Sequence, residues 1–113
     1  MSKKFFAVIL FVLVLGIFAG AAFADSEHNV RAEALGRKIN LITVEQAKTI
    51  AAEKLNAKDV TFKFVDLDNE IKDYPNGSDF RPVYEMECFV NGQEYDVDVD
   101  AVTGEVLKCK LDD

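Results

Sequence analysis

Two alternating runs flank Asn91-Gly92, and together they leave this chain little choice of fold. On the C-terminal side, Tyr95, Val97 and Val99 alternate with Asp96, Asp98 and Asp100, the period of a strand with one buried face. On the N-terminal side, Val83-Tyr84-Glu85-Met86-Glu87-Cys88-Phe89-Val90 reads as a second strand. Asn-Gly between two such runs is the strongest two-residue hairpin signal, because both positions of the tight turn need positive φ. That turn sets the register: Val90 faces Gln93, Cys88 faces Tyr95, Met86 faces Val97 and Tyr84 faces Val99. One face of the hairpin is then apolar. The other collects Glu85 and Glu87 across from Asp98 and Asp96, like charges directly opposed.

The second strand ends in a corner, Asp100-Ala101-Val102-Thr103-Gly104, before Glu105-Val106-Leu107. Asp100 can accept backbone N–H groups from the turn, and Gly104 can take a positive φ without a Cβ penalty, so a third antiparallel strand returns alongside. Its register is open between two choices. A four-residue loop pairs Val99 with Val106 and puts Cys109 on the acidic face, whereas the alternation of Leu107, Cys109 and Leu111 prefers the valine face.

Upstream, Ile42-Thr43-Val44-Glu45-Gln46 has the form of a helix start, with Thr43 and Gln46 placed to bond each other's backbone N–H and Glu45 at the positive end of the dipole. The helix is predicted to run to Leu55, with Ala47, Ile50, Ala51 and Leu55 on one face and Asn56 as a left-handed C-cap. Its small alanines let the axis lie close to a sheet. Val60 to Leu67 alternates as a further strand, with Val60, Phe62, Phe64 and Asp66 on one side and Thr61, Lys63, Val65 and Leu67 on the other. Both sides carry apolar residues, so the period leaves its buried face undecided. Asp68 to Pro82 is read as a long, solvated acidic loop around the turn cluster Pro75-Asn76-Gly77-Ser78-Asp79. The start of this region, Asp66-Leu67-Asp68-Asn69-Glu70, faintly resembles a calcium loop, but Ile71 stands where that loop needs glycine and no bidentate glutamate follows at the right distance.

The first quarter of the chain has a different character. Met1-Ser2-Lys3-Lys4 is basic, Phe5 to Phe18 is an unbroken apolar run, and Ala22-Phe23-Ala24 is a small-x-small cleavage site, so residues 1–24 read as an export signal. The alternative is an uncleaved anchor, since Phe5 to Ala24 approaches the length of about 20 residues that spans a bilayer. Residues 25–40 read as a linker or a short N-terminal helix, with Val30, Ala34, Leu35 and Ile39 as a weak stripe interrupted by Gly36, and residues 41–113 as the folded domain. Removal of Lys3 and Lys4 makes a chain already at −7 two units more negative. Such a chain is repelled by phosphate backbones and anionic lipids, which argues against nucleic acid and peripheral membrane partners.

No catalytic set is visible. Ser26 and Ser78 lie in a tail and a loop, His28 has no partner cysteine or second histidine, and no phosphate-binding loop or paired metal motif occurs. The patch of Glu85, Glu87, Asp96 and Asp98 is a weak candidate for a hard divalent cation, but a flat strand face offset by Lys108 and Lys110 seldom supplies the six to eight oxygens that calcium prefers. On an open face those carboxylates also lack the enclosure that shifts pKa values toward acid–base work. The two cysteines, Cys88 and Cys109, invite a disulfide in an exported protein. With the intervening strand between them, however, their Cα atoms are about 9 to 10 Å apart, beyond the bridging limit of about 7 Å, so both are expected as thiols, with Cys88 buried near Tyr95.

Taken together, Ile42-Thr43-Val44-Glu45-Gln46-Ala47 through Ile50-Ala51, then Tyr84-Glu85-Met86, then Tyr95 to Ala101 with Thr103-Gly104-Glu105-Val106-Leu107 resemble the PepSY domain over about Ile39 to Lys110. The resemblance implies an α+β fold, one main helix packed on one face of an antiparallel sheet of three to four strands. It also implies a non-catalytic, cofactor-free domain that binds and restrains a protein partner, a secreted or envelope metalloprotease, in the periplasm or outside the cell. The alternative is an exported acidic module that binds protein or, weakly, cations, with no peptidase role. Membrane association follows only if the signal segment is kept. Two features depart from the family pattern: the 68–82 connection is long, and only one copy of the domain is present.

Overall fold

The computed structural model describes residues 25–112, so the expected signal segment, residues 1–24, lies outside the described residues. In chain order the elements are α1 (Asp25–Gly36), α2 (Val44–Leu55), β1 (Thr61–Asn69), β2 (Pro82–Val90), β3 (Gln93–Asp100) and β4 (Val106–Asp112). The four strands form one antiparallel meander in the order β1-β2-β3-β4. Both helices pack on the same face, over a core that includes Ala47, Ile50, Leu67, Tyr84, Met86, Cys88, Val97 and Val99. No helix among the described residues is long and apolar enough to cross a membrane.

Local chemistry explains the elements that the sequence made legible. Thr43 Oγ1 accepts the Gln46 N–H at 3.0 Å and Gln46 Oε1 accepts the Thr43 N–H at 2.9 Å, closing a capping box, and Asn56 ends α2 at φ +55°. Asn91 and Gly92 both take positive φ, +52° and +80°, and β2 pairs with β3 in the register that this turn dictates.

Three readings are settled or changed. Of the two left open for residues 25–40, the short N-terminal helix is the one the chain adopts, over Asp25–Gly36, with Val30 and Ala34 buried in the core. A polar knot ties it down: Arg31 donates to the Tyr84 hydroxyl at 3.0 Å, and that hydroxyl donates to the Ile42 carbonyl at 2.7 Å. β1 does not keep one parity. Phe62 pairs with Cys88 but Phe64 pairs with Glu87, so Lys63 is an extra residue and the bulge sends Phe62 to the core face and Phe64 to the opposite one. The third change joins the two registers left open for β4. Val99 pairs with Val106, and a bulge at Leu107 then brings Lys108 opposite Asp98 and Cys109 opposite Val97.

Candidate functional site

Opposite the helices, the second face of the sheet is acidic, and its side chains follow from strand parity. β1 contributes Phe64, Asp66 and Asp68, β2 contributes Val83, Glu85 and Glu87, β3 contributes Glu94, Asp96, Asp98 and Asp100, and β4 contributes Lys108 and Lys110. Cross-strand pairing lines up Asp66, Glu85, Asp98 and Lys108 in a single row. Phe64, Glu85, Glu87, Asp96, Asp98 and Lys108 line a shallow concavity of about 200 Å³.

This face is not open, as the sequence reading had it, because the 70–81 loop folds over part of it. β1 runs two residues beyond Leu67, so the loop starts at Glu70, whose N–H bonds the Arg81 carbonyl at 2.8 Å. Far from being merely solvated, the loop is internally bonded. Asn76 Oδ1 accepts the Ser78 N–H at 3.0 Å, Ser78 Oγ accepts the Phe80 N–H at 3.1 Å, and Asn69 Oδ1 accepts the Arg81 N–H at 2.7 Å. Phe80 is buried in the core, with the Arg37 guanidinium 4.8 Å from its ring centre. On the acidic side, the Tyr74 hydroxyl donates to Asp98 Oδ2 at 2.6 Å, which leaves Asp98 only 6% exposed.

Enclosure changes the electrostatics. Burial, a hydrogen bond that the protonated Glu85 donates to Glu70, and repulsion from Glu70, Asp98 and Asp68 push the Glu85 carboxyl up to about 8. Burial also raises Glu70, and burial with the charge of Asp98 raises the Tyr74 hydroxyl. The four weak cation candidates do not converge on one point. Carboxylate oxygens of Asp66, Asp68 and Glu85 lie within 4.8 Å of one another, and those of Glu87, Glu94 and Asp96 form a second such group, while Asp98 is engaged by Tyr74 and lies 3.9 Å from Lys108. Each group offers three side chains, short of a calcium shell of six to eight oxygens, and a protonated Glu85 weakens the first further.

The Asp100 corner is architectural. Asp100 Oδ1 accepts the N–H groups of Val102 at 2.7 Å and Thr103 at 2.9 Å, and Oδ2 takes Arg81 Nε at 2.7 Å. The backbone on either side is stitched as well, Ala101 N–H to the Pro82 carbonyl at 2.9 Å and Ile42 N–H to the Ala101 carbonyl at 2.8 Å. One carboxylate therefore fixes the turn and the loop end, and the next residue joins the entry to α2.

The remaining residues singled out in the sequence are spread apart. His28 is exposed on α1, Ser78 caps a loop N–H, Cys88 is buried on β2 and Cys109 is exposed on β4, both as thiols with β3 between their strands. An open groove of about 340 Å³ runs between α1 and the loop, past Asn29, Glu33, Arg37 and Asp79. Sequence reasoning missed Glu70, Tyr74, Asp66 and Phe64 as members of the acidic face. For Asp66 and Phe64, the only signal available was the apolar content on both sides of β1.

Among the described residues, the outer edge of β4 carries no neighbouring strand, and every residue from Lys108 to Asp112 is exposed. The chain matches no curated protein and no solved structure. A family model does match: PepSY, described as peptidase propeptide and YPEB domain, over residues 41–110. Domains of this kind are propeptide-like or inhibitor-like and generally non-catalytic. The match takes in the capped α2, the four-stranded meander and the Asp100 to Gly104 corner, and on that ground the chain belongs to the PepSY family.

Proposed function

We propose that this chain is an exported, non-catalytic PepSY domain that binds and restrains a secreted or envelope peptidase. The observation that carries the reading is the free edge of β4, from Val106 to Asp112, on a domain whose family is propeptide-like. Peptidases bind their substrates as extended chains, and an unpaired strand offers the same row of backbone donors and acceptors. Both edge strands carry a bulge, at Lys63 in β1 and at Leu107 in β4, but β1 is flanked by α1 whereas Lys108 to Asp112 of β4 are exposed, so β4 is the better template. Lys108 and Lys110 guard β4 against indiscriminate pairing, which favours a partner with acidic groups beside its cleft.

Residues 1–24, with their basic start, apolar run and Ala22-Phe23-Ala24 site, support delivery across a membrane, to the periplasm or beyond. The test titrates the chain beginning at Asp25 into secreted metalloproteases from the same source. Saturable slowing at micromolar concentration, overcome by excess substrate, is expected. Unchanged rates for every protease would overturn the reading.

A further inference from the structure

Glu70 opens the loop that covers the acidic face, and its carboxyl is hydrogen-bonded to that of Glu85 on β2. Two ionised carboxylates have no hydrogen to share, so this contact exists only while one of them is protonated. The surroundings are those of a carboxyl cluster. Asp66 on β1 and Asp98 on β3 flank Glu85 in the cross-strand row, Asp68 brings a third oxygen group within 4.8 Å of Asp66 and Glu85, and Asp73 faces Glu70 from the loop itself. Of the nearby cations, Lys108 on β4 lies 3.9 Å from Asp98, a member of this row, and Arg81 lies 2.7 Å from Asp100.

The loop is held in two different ways. Its ends are tied by Glu70 N–H to the Arg81 carbonyl at 2.8 Å and by Arg81 to Asp100 at 2.7 Å. Its first turn is bonded within itself, Tyr74 N–H to the Glu70 carbonyl at 2.9 Å, and lies on the sheet through Tyr74 to Asp98 and through the shared carboxyl proton. We propose that the Glu70–Glu85 carboxyl pair is a proton-operated latch, which holds the Glu70 to Tyr74 turn on the acidic face and releases it when the shared proton is lost. No other reactant is needed. The proton leaves to solvent, the pair becomes two carboxylates facing each other among Asp66, Asp68, Asp73 and Asp98, and repulsion lifts the turn. Lifting uncovers Asp98, so the face is closed under acidic and neutral conditions and open under alkaline ones.

The sign follows from linkage. The Glu85 carboxyl is raised from its ordinary 4.5 to about 8, so across that window the folded protein holds a proton that the unfolded chain has lost. The stabilisation is fully present below 4.5 and is lost as pH rises through about 8. This inference is independent of any peptidase. It is tested by NMR on the full chain in detergent micelles, following the Glu85 carboxyl carbon and the Tyr74 amide from about pH 5 to about pH 10. Both signals are expected to move with one midpoint near 8. Exchange protection of the Tyr74 amide, corrected for intrinsic base catalysis, is expected to drop more than tenfold through it while Ala47 and Val97 stay protected. Glu85→Gln, which keeps a donor toward Glu70 without titrating, is expected to hold the turn closed throughout, and Glu70→Gln is expected to remove the common midpoint. A Glu85 carbon titrating near its ordinary value, a Tyr74 amide that ignores it, or a midpoint that survives both variants would overturn the latch. If either variant fails to fold, the wild-type titration decides alone.

Discussion

The two faces of the sheet are built from the same alternating strands but are covered by different means. On the core face, Leu67, Tyr84, Met86, Val97 and Val99 are covered by α1 and α2, with Ala47 and Ala51 letting α2 approach closely. That cover is mainly apolar, with the bond from Arg31 to the Tyr84 hydroxyl as its polar tie. On the acidic face, the cover is a loop held by Tyr74 to Asp98, Arg81 to Asp100 and a shared carboxyl proton. Such contacts are directional, and the carboxyl pair among them is bonded only while it holds a proton. The comparison teaches a division of labour: stability resides on one face, and responsiveness on the other.

The largest expected effect tests that division directly. Leu67 is fully buried, so Leu67→Ala should cost about 2 to 5 kcal/mol in urea unfolding, whereas Glu87→Gln, on the acidic face, should change stability by less than about 0.5 kcal/mol. Equal losses would break the comparison. Next in size is the corner that joins the two faces. Gly104 sits at φ +81°, and a Cβ there would stand 3.2 Å from Ile50 Cδ1 on α2. Gly104→Ala should therefore destabilise by about 1 to 2 kcal/mol through backbone strain. A neutral result in the same urea assay would mean that the corner relaxes without disturbing the α2 contact.

How much of this was legible varies with how local the cause is. The hairpin and the corner could be read because Asn91-Gly92 and Asp100 to Gly104 act through their own backbone. The helix start could be read for the same reason, since Thr43 and Gln46 bond each other. β1 could not, because one extra residue at Lys63 inverts the parity and no local composition announces a bulge. α1 was legible only as one of two alternatives, because its apolar stripe is weak. It is held by Val30, Ala34 and the bond from Arg31 to a tyrosine on β2, a partner that exists only once the sheet has formed. For the acidic site, strand parity placed Glu85, Glu87, Asp96 and Asp98 together. Their enclosure depends on where a turn-rich loop comes to rest, and the turn residues do not encode that.

The smallest expected effect sharpens the comparison within a single face. Cys88 and Cys109 both lie on the valine side, opposite Tyr95 and Val97 on either side of β3, yet Cys88 is buried while Cys109 is exposed. The difference is cover, because the core cluster closes over β2 and leaves the later residues of β4 bare. Burial, with lesser contributions from Cys109 and Asp96, pushes the Cys88 thiol up to about 11, so at pH 8 about one molecule in a thousand carries it as thiolate. Alkylation of the native protein at that pH without reductant should therefore modify Cys109 quickly and Cys88 only after unfolding, as read by mass spectrometry of digests. Reductant should leave the thermal midpoint unchanged, since no bond joins strands that have β3 between them. Equal labelling of both thiols would show that the cover over β2 opens readily. A mass two protons lighter, with neither cysteine alkylated, would mean that β2 and β4 can meet and that the order of the meander is wrong.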